Sequence, residues 1–172
     1  MDKLTYQRIE KAHPLIREEL KVLYTKANNA LGKGVRLRFS WVFRTPAEQS
    51  KLFKQRPKVT KADAWQSIHN YGLAFDIVLL YDNDGNGTFE EASWNTLRDG
   101  DHNGVADWLT VTQIFVKAGY QNGFISNGKK WDLPHFQKSF GLKWRDLKKL
   151  MNSNQTITDN GIVYPEIIPT NI

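Results

Sequence analysis

Leu73-Ala-Phe-Asp-Ile-Val-Leu-Leu80 is an apolar run interrupted once, by Asp76. Its length and its branched and aromatic residues predict a buried strand. A carboxylate in the middle of such a strand is costly unless it is paired or bound to a metal ion. Asp76 therefore constrains the fold more than any other residue, because its surroundings must bring compensating charge to the strand's centre. Gly72 permits the tight approach that turns the preceding segment, Ser67-Ile-His-Asn-Tyr71, back alongside the strand.

The sequence has no cysteine, so disulfides and thiolate sites are excluded and any metal must sit on nitrogen and oxygen. Catalytic zinc takes three protein ligands from His, Asp or Glu and keeps a fourth position for water. His69 and Asp76, with His135 well downstream, can fill the three positions. Asp132, in Trp131-Asp-Leu-Pro-His135, is placed to take a proton from the water. Pro134 excludes a regular helix there, so this is not a helical pair of histidines, and a bend at the proline can turn both side chains toward one cleft. His13, beside Pro14, reads as a cap or surface residue, and His102 as solvated.

In chain order, residues 5–31 read as two helical pieces, the first capped by Thr5 and the second opened by Pro14. Leu15, Ile16, Leu20, Leu23 and Tyr24 form the apolar face of the second. Residues 35–43 predict a strand, and Thr45-Pro46 opens a short helix through Phe53. Arg44, at the strand's exit, suits either a surface salt bridge or a bidentate grip on a substrate carboxylate. Residues 54–61 read as a basic loop. Further on come a helix over 106–118, a short strand over 120–126, a turn at Asn127-Gly128, a short extended piece at 133–136 and a last helix over 142–151. One domain fits a chain of 172 residues. We assign residues 1–152 to it and expect 153–172 to be an irregular tail.

Between Tyr81 and Asp107 lies a polar insertion. Asp82, Asp84 and Asn86 alternate before Gly87, and Asp99, Asp101 and Asn103 alternate before Gly104. Both match the opening of a calcium loop, with oxygen ligands at alternate positions and glycine sixth. The bidentate glutamate expected twelfth is replaced by Ser93 and Thr110, and Glu90, Glu91 and Asp107 are available as substitutes. Asx-type turns use the same residue types without an ion. The segment therefore reads either as a possible Ca2+ site or as a pair of such turns.

The Ser67–Asp76 segment resembles the Ser-x-His-x-x-Gly-x-Ala-x-Asp signature of the zinc peptidases that cut bacterial cell-wall peptides. That family includes D-alanyl-D-alanine carboxypeptidases and the L-alanyl-D-glutamate endopeptidases of phage lysis enzymes and bacilli. The likeness runs from about residue 36 to about residue 145 in family order. It implies zinc on His69, Asp76 and His135, catalysis by Asp132, substrate binding by Arg44 with Gln49 in support, and a hydrogen-bonding part for Ser67. Trp131-Asp-Leu-Pro-His-Phe136 is similar to the endopeptidase version. The implied fold is α+β of the hedgehog and D-Ala-D-Ala peptidase type, a small, mainly antiparallel sheet carrying the zinc site with helices on one side.

The leading expectation is a peptidoglycan endopeptidase of L-alanyl-D-glutamate type that acts as a monomer. Alternatives are a D,D-carboxypeptidase and a wall-binding module that holds zinc without cutting. The net charge of +6 favours an anionic partner. It is spread along the chain without a basic motif, which argues against nucleic acid. No window reaches the roughly 18 apolar residues of a membrane span, and the start lacks the apolar core of a secretory signal. The expectation is cytoplasmic synthesis, with access to the wall after lysis or a holin-type opening.

Overall fold

The computed structural model describes residues 2–123 and 132–169. Two helices lead, α1 (Lys3–Ile9) and α2 (Pro14–Ala30), followed by strand β1 (Val35–Trp41) and helix α3 (Pro46–Lys54). A 3-10 turn, Ile68–Tyr71, precedes the central strand β2 (Ala74–Tyr81). After it come β3 (Glu91–Ser93), α4 (Asp107–Lys117), β4 (Gln121–Asn122), β5 (His135–Gln137) and α5 (Trp144–Asn152). The turn expected at Asn127-Gly128, the strand beyond Gly123 and Trp131 lie outside the described residues.

The fold is α+β with an antiparallel sheet. β1 runs beside β2 from Val35 opposite Tyr81 to Trp41 opposite Asp76, with a bulge between Phe39 and Trp41. On the other side, β3 covers the Leu79–Tyr81 end of β2 and β5 covers the Ala74–Asp76 end. β4 borders β5. Alternation along β2 sends Phe75, Ile77, Leu79 and Tyr81 into the core with Ile16, Leu20, Tyr24, Phe39, Val111 and Phe115. Phe75 stacks between Phe39 and Phe136, with ring centroids 4.4 and 5.2 Å away. Helices α1, α2 and α4 supply the apolar cover for this face. Each large side chain so buried contributes about 1.5–3 kcal/mol. Asp76 points to the opposite face. Among the described residues no helix is long and apolar enough to cross a membrane.

One cap differs from expectation. Asp2, not Thr5, caps α1, and Arg38 grips its carboxylate with two bonds of 2.9 and 2.8 Å. Thr5 is fully buried instead, where its hydroxyl donates to Asp2 (2.6 Å) and accepts from the Phe39 N–H (3.1 Å). That second bond satisfies the β1 backbone at its bulge. His13 does cap α2, accepting from Leu15 N, but it is buried and its Nε2 bonds the Pro165 carbonyl at 2.9 Å. Its partner lies in the segment read as irregular.

Within the expected tail, residues 153–169 are not simply irregular. They contain a hairpin, β6 (Thr156–Asp159) against β7 (Ile162–Pro165), turned at Asn160-Gly161 with φ of 49° and 74°. Tyr164 is fully buried and donates to the Lys11 carbonyl at 3.1 Å. Its ring also meets Gly72, where a Cβ would come within 2.9 Å of Cε1 and 2.7 Å of His13 N. Gly72 has φ +68° and ends the 3-10 turn, so the hairpin closes over the back of that turn. Tyr164→Ala should cost about 3 kcal/mol or more in denaturant unfolding, by analogy with other buried aromatic truncations. A cost below roughly 1 kcal/mol, the range of surface changes, would show the hairpin to be loosely attached.

Candidate metal centre and active site

The strand register brings the centre together. His135, the first residue of β5, lies directly opposite Asp76 on β2. His69 arrives from the 3-10 turn, which Ser67 caps by accepting from His69 N while Asn70 reaches back to Ser67 N. Three side-chain atoms then converge. His69 Nε2 is 3.1 Å from Asp76 Oδ1, His135 Nδ1 is 3.1 Å from the same oxygen, and the two nitrogens are 3.2 Å apart.

The outer hydrogen bonds fix which nitrogen carries the proton. His69 Nδ1 lies 2.8 Å from the Val42 carbonyl, which can only accept, so Nδ1 is the donor. His135 Nε2 lies 3.0 Å from Gln137 Oε1, and the Gln137 amide nitrogen is in turn bonded to Gln121, so Nε2 is the donor. In the neutral rings the inner nitrogens are then both acceptors. Two nitrogen lone pairs and a carboxylate oxygen face one another at a little over 3 Å, which is repulsive without a cation. With imidazole–metal and carboxylate–metal bonds near 2.0 Å, neighbouring ligand atoms of a tetrahedral site are separated by roughly 3.3 Å. The triangle matches that spacing, and these three residues could hold a metal ion.

Charge is balanced around this point. Burial alone would raise the Asp76 pKa, but the two imidazoles, when protonated, hold it well below the usual carboxylate range. Burial would likewise lower the His135 pKa, yet the Asp76 carboxylate and Gln137 keep it raised. Arg44 approaches the second oxygen of Asp76 with Nη2 at 3.6 Å, while Nη1 donates to Gln49 at 2.8 Å. Burial pulls the Arg44 pKa down and Asp76 pulls it back. Gln49 is fully buried and donates onward to the Ala62 carbonyl at 2.7 Å, which leaves it to hold Arg44. Asn70 adds a bond from its amide to the Arg44 carbonyl at 2.8 Å.

Asp132 belongs to the same electrostatic cluster. Burial raises its pKa, Asp76 adds to the rise, and His135, His69 and Arg44 oppose it. Its carbonyl accepts from His135 N at 3.2 Å, and Gly123 packs so closely that a Cβ there would lie 2.2 Å from that oxygen. The fold thus gathers His69, Asp76, His135, Asp132, Arg44, Gln49 and Ser67 into one region. The residues of the acidic insertion form two separate groups, Asp82, Asp84 and Glu90 in one and Asp99, Asp101 and Asp107 in the other. Asn86 and Asn103 bond within their own loops. Sequence reasoning missed Asn70, Gln137 and the Val42 carbonyl. Gln137 was open to discovery, since it stands two residues from His135 and so shares its face of the strand.

No family model matches this chain. It is 35% identical over 131 residues to the peptidoglycan L-alanyl-D-glutamate endopeptidase CwlK of Bacillus subtilis (strain 168), covering 73% of this chain and 72% of that protein. Among solved structures, the L-Ala D-Glu endopeptidase ChiX of Serratia marcescens superposes with a TM-score of 0.52 at 20% identity, covering 81% of this chain and 90% of that one. The second likeness speaks to the α+β fold, the first to ancestry. On the first, this chain belongs to the peptidoglycan L-alanyl-D-glutamate endopeptidase family.

Proposed function

We propose that the protein is a zinc-dependent peptidase that hydrolyses the L-alanyl–D-glutamate bond of peptidoglycan stem peptides. The observation that carries this reading is the triangle of His69, Asp76 and His135, with the far nitrogen of each imidazole tied to a fixed acceptor. Such outer bonds orient metal-binding histidines and raise their basicity. Family membership supports the choice of bond.

Zinc bound there would supply a water of pKa near 7 and a Lewis acid for the scissile carbonyl. The chain's own residues do the rest. Asp132 takes the proton of the attacking water and delivers it to the leaving amine, a task helped by a carboxyl pKa raised through burial. Arg44 pairs with a substrate carboxylate and steadies Asp76, and Gln49 fixes its guanidinium. Ser67 acts through the turn that presents His69.

Digestion of purified peptidoglycan followed by mass spectrometry tests the reaction. The expected products are peptides with a new amino-terminal D-glutamate, lost on treatment with a zinc chelator and restored by zinc. Release of terminal D-alanine alone would instead assign a carboxypeptidase, and no release of any kind would leave a wall-binding module. Asp132→Asn should retain stoichiometric zinc while kcat falls by about 10²–10⁴, the usual contribution of a positioned acid or base. Near-native turnover in that variant would remove Asp132 from the mechanism.

A further inference from the structure

We propose that the loop from Asp99 to Asp107 binds a structural calcium ion. Three carboxylates, from Asp99, Asp101 and Asp107, offer oxygens that lie within 4.8 Å of one another. Asp107 is what singles the loop out. It is only 1% exposed, and its Oδ2 accepts from the Tyr81 hydroxyl (2.9 Å) and Gly100 N (2.8 Å), while Oδ1 is buried with no hydrogen-bond partner among the described residues. A buried carboxylate oxygen stripped of water and given no donor is costly, unless a cation fills the gap. Among the described residues, no lysine or arginine pairs with any of the three. Arg98, their neighbour in sequence, turns instead to Glu91 at 2.8 Å and lies over the Tyr81 ring.

The ligand chemistry is oxygen only, which suits a hard cation that takes six to eight oxygens at flexible geometry. Asp99, Asp101 and Asn103 stand at the first, third and fifth places of the loop, and Gly104 makes the sixth-place turn with φ +84°. Asp107 at the ninth place supplies the carboxylate missing from the twelfth; backbone carbonyl and water complete the shell. The ion would join three elements. Asp101 accepts from Gly32 N just beyond α2 at 2.7 Å, Tyr81 ends β2, and Asp107 begins α4. The same offsets recur at Asp82–Glu90, but Glu90 is exposed and accepts from Asn83 N, so the inference is confined to the second loop.

The test is thermal unfolding of the zinc-loaded protein with calcium chloride, against potassium chloride at equal ionic strength. At calcium about 100-fold above its dissociation constant, Tm should rise by roughly 5–10 °C. In Asp107→Asn and in Asp101→Asn the rise should fall below half of that. If Asp107→Asn fails to fold, Asp101→Asn, in the more exposed part of the loop, decides alone. No rise in the unaltered protein, or a rise above half the native value in a folded variant, overturns the assignment. Because zinc is present throughout, the outcome is independent of the peptidase reading.

Discussion

A negative charge in the middle of β2 is the constraint on which the rest of the structure depends. Asp76 has apolar neighbours on both sides along the strand, yet 21% of its side-chain surface stays open and three cationic or metal-ready groups converge on it. Stability alone does not explain the arrangement. Replacing a buried ion pair with apolar residues of similar volume is often neutral or favourable, whereas removing one partner costs about 3–5 kcal/mol. A strand built only for packing would carry valine or leucine at this place. The carboxylate makes sense as one corner of a site, and the two histidines and Arg44 as the groups that make its ionised form tolerable.

Much of the remaining fold keeps those corners at fixed separation. The β2–β5 register sets His135 against Asp76, and the Pro134 carbonyl accepts from Ile77 N at 3.0 Å just beyond it. His69 is held from both ends: Ser67 caps its turn, and Gly72 closes it beneath His13 and Tyr164. The C-terminal hairpin therefore contributes to the site without touching it. On the opposite face the aromatic stack of Phe39, Phe75 and Phe136 ties β1, β2 and β5 into one rigid unit. The strands that carry Asp76 and His135 can shift relative to one another only by disturbing that packing.

The candidate site was legible in the sequence because its chemistry is unusual for its context. A carboxylate in an apolar run, a histidine seven residues earlier and an Asp-Leu-Pro-His segment left few interpretations. The helices, β1 and β2 followed from periodicity, and α3 from its Thr45-Pro46 start. The hairpin is weakly signalled: Asn160-Gly161 is the dipeptide that favours a tight two-residue turn, but Pro165 and Pro169 nearby read as irregular chain. Thr5 looked like a cap because helical spacing begins near it, while Asp2, the actual cap, is selected by Arg38 from β1, a tertiary contact invisible locally. The two acidic loops are alike in sequence and differ in burial. Only Asp107 starts a helix against Tyr81, and that difference exists only once the chain has folded.

What unites these observations is a set of lone pairs aimed at one point and fixed there by outer hydrogen bonds. Zinc-edge X-ray absorption on the purified, active protein examines that point directly. The expected result is one zinc per chain with two imidazole nitrogens and carboxylate or water oxygens at about 2.0 Å, and no sulfur. Active protein without stoichiometric zinc, or an unchanged zinc environment in His69→Ala, would contradict it.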